Sequence, residues 1–333
     1  MSPLRHGRRR HGDGRGDGGD RAGADHARRS RLWDDRQIPG LRGIAGTLKG
    51  LGAVPGIQLG HAGRKAATQR PWQGHGPLTA TDAARGNALA GDRSEPAARR
   101  RWLASAGGAG PRRYRRPRRG LADRAARALE AGFEAVELHC AHGYLLHQFL
   151  SPLSNRRTDG YGGDPAGRCR FPLEVAAAVR AVWPVERPMF VRISATDWIE
   201  GGWTIEDSVA FSRDLRDLGI DVIDCSSGGM TGVSATAAAV PRHPGFQVPF
   251  AGRIRREAGI ATMAVGLILD GRQAEAILRD GEADLVAIGG SAGRSQLAAA
   301  RRQQLCDGSF DGWPEQSGWW LARRARTLDH KQN

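Results

Sequence analysis

Six short apolar runs punctuate the chain, at Val54–Leu59, Phe133–Leu138, Met189–Ile193, Val222–Cys225, Ala261–Val265 and Leu285–Ile288, each bounded by Gly, Pro or Asp. Runs of this length are those of parallel strands buried on both faces. Between them lie stretches of helical period, Leu173–Val182, Ile205–Leu218 and Ala274–Arg279. Thr204 is placed to cap the second and Gly219 to stop it, and Gly281 follows the third. Strand–helix alternation over this length predicts an α/β fold with a parallel sheet, open or closed into a barrel. Six strands are two short of a closed barrel. The missing pair belongs before Val54, yet residues 1–31 carry Gly, Arg, Asp and His without any period. The plain reading of that segment is a disordered tail.

Composition narrows the class. A chain of 333 residues, 40% hydrophobic, suits one barrel of roughly 250 residues or more. The four cysteines, Cys140, Cys169, Cys225 and Cys306, form no CxxC pair. That argues against a zinc site or a disulfide framework and suits a reducing cytoplasm. No apolar run approaches about 18 residues, so no membrane span is expected, and the basic N-terminus has no apolar segment behind it to make a secretory signal. The net charge of +15 would ordinarily suggest a nucleic-acid partner. Three patches hold it: nine Arg against four Asp in 1–31, eleven Arg against three acids in 88–125, and three Arg with no acid in 290–306. The remainder of the chain is close to neutral.

The densest chemistry lies in Val136-Glu-Leu-His-Cys-Ala-His-Gly-Tyr-Leu-Leu-His-Gln-Phe-Leu-Ser-Pro152. A strand is expected to end at His139, a turn to follow at Gly143, and a helix to begin. His139, His142 and Tyr144 would then cluster at the C-terminal end of a parallel strand, the catalytic face of a barrel. Two histidines could ligate a metal, but no third ligand sits at the right spacing. As hydrogen-bond donors they could polarise a carbonyl or nitro oxygen, with Tyr144 as proton donor. The plainer alternative is that the pair caps the turn.

His139-x-x-His-Gly-Tyr-Leu-x-x-Gln-Phe-Leu-Ser-Pro, followed by Asn155-Arg-Arg-Thr-Asp-x-Tyr-Gly-Gly163, resembles the Old Yellow Enzyme family of flavoproteins, in its NADPH dehydrogenase and xenobiotic-reductase branch. Gly56-Ile-Gln-Leu-Gly-His-Ala-Gly-Arg-Lys65, Phe190-Val-Arg-Ile-Ser194, Asp224-Cys-Ser-Ser-Gly-Gly229 and Val265-Gly-Leu-Ile268 extend the resemblance in the family's order. The resemblance implies a (β/α)8 TIM barrel holding FMN at the strand C-termini. It implies hydride passing from NADPH or NADH through the flavin to an activated alkene, as in an ene-reductase. Gln58 and Arg192 would contact the isoalloxazine ring, a cation beside N1 favouring the reduced anionic flavin. His139 and His142 would grip the substrate's oxygen and Tyr144 would protonate its α-carbon. Gly266 and Gly289 would bring backbone N–H groups to the phosphate, and Gly290 falls at the cofactor position where the family carries an Arg that pairs with the phosphate. A small-molecule substrate and a homo-oligomer are implied, with no nucleic-acid or membrane partner and no metal. Trp319, Trp320 or Arg323 could reach a neighbouring subunit's site.

Other departures are Gly167, where the family has Asn, and the absence of the first strands. A frameshift accounts for the three basic patches together. With a choice of GC-rich codons, Gly12–Asp20 read one base later can give VMAEATAV, resembling the family's second strand. On the same choice, Asn87–Ser94 can give MPWQVIG, and Gly290–Leu297 can give a string beginning EALVDPN. The expected organisation is a frame-shifted, irregular segment over 1–31, then an FMN-binding barrel domain over 32–333 with irregular stretches near 88–125 and 290–306. The rival readings are a non-catalytic family remnant with impaired flavin binding, a nucleic-acid-binding protein resting on Arg runs at 99–101 and 112–119, and a different barrel enzyme.

Overall fold

A computed structural model describes residues 32–65, 115–230, 240, 243–269 and 271–287. Six parallel strands lie in one sheet in chain order: β1 Gly56–Leu59, β2 Ala135–Cys140, β3 Met189–Ser194, β4 Val222–Ser226, β5 Ala261–Ala264 and β6 Leu285–Val286. All six apolar runs are strands. Every neighbour in the sheet is also the neighbour in sequence, which is the order of an arc of a (β/α)8 barrel. The expected closure by earlier strands concerns residues 1–31, outside the described residues.

The helices are α1 Ile38–Gly50, α2 Arg115–Glu130, α3 Leu145–Leu150, α4 Pro165–Arg180, α5 Ile205–Asp217, α6 Val248–Ala258 and α7 Gly271–Arg279. The expected caps of α5 are present: Thr204 and Asp207 form a reciprocal capping box, and Gly219 ends the segment at φ 80°. Helix α4 begins earlier than its apolar period predicts, because Asp164 caps it by accepting from the Gly167 N–H at 2.7 Å and Pro165 opens the first turn. Gly167 is a fit to this turn, since a Cβ there would collide with the Gly162 carbonyl oxygen. The arginine-rich stretch 88–125 enters the described residues at 115, and from there it is helical. Helix α2 packs against α1 and α4, burying Leu121, Ala125 and Ala128.

Side chains alternate across the sheet. Val136, Leu138, Cys140, Val191, Ile193, Ile223 and Cys225 are fully buried in the layer between strands and helices, with Phe171, Val175 and Leu215 from the helices. The alternate positions, Gln58, Glu137, His139, Arg192 and Asp224, share the concave face. Register sets His139 beside Arg192 and Arg192 beside Asp224, while Gln58 pairs with Glu137 one step lower. The apolar core thus lies outside the arc, and the polar chemistry lies within it.

Candidate active site

The strand β2 delivers His139 at its C-terminal end, and the chain then turns sharply before α3. His142 sits at φ 58° and Gly143 at φ 70°, two successive residues in left-handed backbone. Such a pair is costly for a side-chain-bearing residue and persists only where its surroundings enforce it. All four backbone polar groups of the pair are held. The His142 N–H donates to Ser194 Oγ at 2.9 Å, and Lys65 Nζ donates to the His142 carbonyl at 2.6 Å. The Gly143 N–H donates to His147 Nδ1 at 2.8 Å, and Gln148 Nε2 donates to the Gly143 carbonyl at 2.6 Å. Position 143 has no room for a Cβ, which would collide with the Gly229 carbonyl oxygen.

This turn brings the three expected residues together. The His139 and His142 rings lie 5.2 Å apart, and the Tyr144 ring meets that of His139 edge-on at 5.0 Å. Tyr144 stands at the N-cap of α3 in extended backbone, turned out of the helix. His142 Nε2 shares a 2.6 Å hydrogen bond with Ser226 Oγ from the end of β4. Burial, reinforced by His139 and by the nearby cations of Arg192 and Lys65, holds the His142 pKa well below the ordinary histidine range. The ring is therefore neutral at physiological pH. It can give or take one hydrogen bond at each nitrogen, and it brings no fixed charge to the site.

Around the turn stand groups that the pattern of the sequence does not single out. Lys65 also donates to the Gly229 carbonyl at 2.6 Å, tying the loops after β1, β2 and β4. Burial, with Arg64 alongside, pushes its ammonium down to about 8. Ser194 Oγ donates onward to the Gly228 carbonyl at 2.7 Å. His147 is fully buried, and its Nε2 lies 3.1 Å from Asp197 Oδ1. Asp197 Oδ2 accepts from Ser151 Oγ at 2.6 Å and from the Trp203 N–H at 2.9 Å. Serines at strand ends and a histidine inside a helix look ordinary in sequence; only the Lys65, Ser194 and Ser226 family motifs pointed toward this region.

Gln58 and Arg192 share the concave face, Arg192 level with His139 and Gln58 level with Glu137. The Gln58 amide donates to the Glu137 carboxylate, and Arg192 Nε lies 3.1 Å from Asp224 Oδ2. Burial, with Glu137 adding to it against the opposing pull of Arg192, pushes the Asp224 carboxyl up to about 7. Both Gln58 and Arg192 present N–H donors on one face at the level of the strand ends. That is the donor chemistry which the carbonyl and ring-nitrogen acceptors of an isoalloxazine require, so these residues fit a flavin. Gly266 follows β5 at φ 115°, where a side chain would meet Phe246 and Gln247. Gly289 and Gly290 lie outside the described residues, as do Trp319, Trp320 and Arg323.

Cys140, one residue from His139, faces the helix layer, and burial pushes its thiol well up, so it is no nucleophile. Among the described residues no group of three or more His, Cys, Asp or Glu comes together to hold a metal, and no helix is long and apolar enough to cross a membrane.

The chain is 44% identical over 258 residues to an NADPH dehydrogenase of Geobacillus thermodenitrificans (strain NG80-2), covering 78% of this chain and 68% of that protein. Among solved structures it resembles an old yellow enzyme homologue from Zymomonas mobilis, with a TM-score of 0.55 and 23% identity over 77% of this chain and 68% of the other. It also resembles 2-naphthoyl-CoA reductase, with a TM-score of 0.63 and 20% identity, covering 80% of this chain but 40% of that longer one. These two likenesses bear on the fold alone, that of a TIM barrel. The sequence model of the NADH:flavin oxidoreductase / NADH oxidase family matches residues 118–300. FMN is the cofactor of that family and NAD(P)H its hydride donor. With the six-stranded arc and the clustered His139, His142 and Tyr144, these matches establish that the chain belongs to the NADH:flavin oxidoreductase / NADH oxidase family.

Proposed function

We propose that this chain is an FMN-dependent, NAD(P)H-consuming reductase of activated alkenes or similar small electrophiles. The observation that carries the reading is the convergence of His139, His142 and Tyr144 on one rigid turn at the end of β2. FMN, when bound, supplies the hydride chemistry. The residues of the chain do the rest. His139 and the neutral His142 hold the electron-withdrawing oxygen of the substrate, and their hydrogen bonds strengthen as negative charge develops there. Tyr144 holds its hydroxyl proton for the α-carbon. Gln58 and Arg192 orient the flavin ring, the guanidinium supplying positive charge. Gly266 would give its backbone N–H to the phosphate, a role the family resemblance extends to Gly289 and Gly290, outside the described residues. The substrate is a small molecule, and the assembly is a homo-oligomer without nucleic acid.

Reconstitution with FMN tests this. Purified protein should retain yellow flavin after gel filtration and should oxidise NADPH when cyclohexenone is added. Retained flavin without turnover, or no retained flavin, would instead favour a remnant that keeps the motifs and has lost the activity.

A further inference from the structure

We propose that His147, held by Asp197, is a positioning residue for the substrate-holding turn: its Nδ1 fixes the Gly143 N–H and so sets the direction of His142 and Tyr144. This rests on the reading of that turn as the substrate grip.

The hydrogen bond to Nδ1 fixes which ring nitrogen carries a proton. Nδ1 accepts from the Gly143 N–H at 2.8 Å, so it must present a lone pair. The neutral ring then has its one proton on Nε2, which lies 3.1 Å from Asp197 Oδ1. A carboxylate facing one ring nitrogen fixes the tautomer of the whole ring. Asp197 is itself anchored, accepting from Ser151 Oγ and from the Trp203 N–H at its other oxygen. His147, Ser151 and Asp197 are all buried, and the His147 Nε2–Asp197 Oδ1 contact is an ion-pair distance that falls short of hydrogen-bond geometry. The order is therefore Trp203 and Ser151 to Asp197, Asp197 to His147, His147 to Gly143. Gly143 lies between His142 at φ 58° and Tyr144, which leaves the turn to open α3. His147 sits on that same short helix, one turn on. It touches neither substrate nor cofactor. It acts through the backbone between the two residues that do.

A substitution that removes the acceptor frees the Gly143 N–H inside a closed site. The left-handed pair then has one fewer of its four restraints, and the grip loosens. The effect belongs in substrate affinity more than in flavin retention, because Gln58 and Arg192 lie on other strands.

The test uses the full chain labelled with 15N-histidine. The His147 ring signals, assigned by their loss in His147→Asn, are expected to show an unprotonated Nδ1 and a protonated Nε2. A proton on Nδ1 would overturn the proposal. In steady-state enone reduction, His147→Leu should raise KM about tenfold, the scale of one lost buried hydrogen bond, with FMN content unchanged. His147→Asn, whose side-chain oxygen stands where Nδ1 does, should retain most of the affinity. Asp197→Ala should raise KM similarly, and the double variant no further than either alone, as for residues acting in one unit. An unchanged KM in His147→Leu would also overturn the proposal. If His147→Leu does not fold, the ring tautomer and the His147→Asn variant decide. If the wild type reduces no enone, the functional reading fails, while the tautomer still decides whether His147 holds the turn.

Discussion

Arg192 Nε lies 3.1 Å from Asp224 Oδ2, joining β3 to β4 across one register step on the concave face. The contact puts a buried carboxyl beside the cation proposed for the flavin ring, with Glu137 close enough to oppose its ionisation.

That carboxyl gives stability a pH dependence of known sign. Its folded value of about 7 lies above the roughly 3.9 of an unfolded aspartate. Between those values the folded protein keeps a proton that the unfolded chain has released. The stability contributed by this group is therefore full below about pH 4 and lost as pH rises to about 7, by at most about 1.4 kcal/mol per pH unit. In urea unfolding, wild type should weaken relative to Asp224→Asn between about pH 5 and about pH 7. A difference that stays constant over that range contradicts the assignment.

Lys65 is a brace on two carbonyls, those of His142 and Gly229. Lys65→Met keeps the length of the stem but leaves both acceptors without their donor, at a cost of about 1–3 kcal/mol. Denaturant unfolding should show this as a lower midpoint with an unchanged slope. An unaltered midpoint would mean that the loops hold together without the ammonium.

Tyr144→Phe separates proton donation from the rest of the cycle. Removing the hydroxyl should slow alkene reduction by about 10²–10⁴-fold, the usual range for a positioned acid, while flavin reduction by NADPH keeps its rate. Stopped-flow measurement of the two half-reactions distinguishes them. Equal losses in both would assign Tyr144 to flavin binding instead.

The three basic patches make a claim about the gene. Read one base away from the present frame, the codons for residues 12–20, 87–94 and 290–297 should encode family-like sequence, and sequencing the DNA decides this directly. If they do, restoring the frame should increase the FMN retained per chain. Alternative frames without family character would end the frameshift explanation.

Strands were legible because a strand buried on both faces leaves an uninterrupted apolar run, and all six such runs are strands. Helix α2 was hidden for the opposite reason. Its buried stripe of Leu121, Ala125 and Ala128 is mostly alanine, set among arginines whose charge dominates the stretch. Helix α1 was hidden by Gly40, Gly43 and Gly46, poor helix formers with open space around them. In the site, His139, His142 and Tyr144 were legible because they are close in sequence. Lys65, Ser194, Ser226 and Asp197 support them from other strands and loops, and spacing along one segment carries no information about those contacts. Gly143 was readable as a turn, but its need to clear the Gly229 carbonyl oxygen was not.

The left-handed pair at His142 and Gly143 has a consequence for folding order. Its partners Lys65, Ser194 and Ser226 lie 77, 52 and 84 residues away in sequence. Contacts of such long range form only after the intervening crossovers have closed their loops. The restraints on His142 are therefore complete only once three separate βα units have docked, whereas those on the Gly143 N–H and carbonyl come from the adjacent helix.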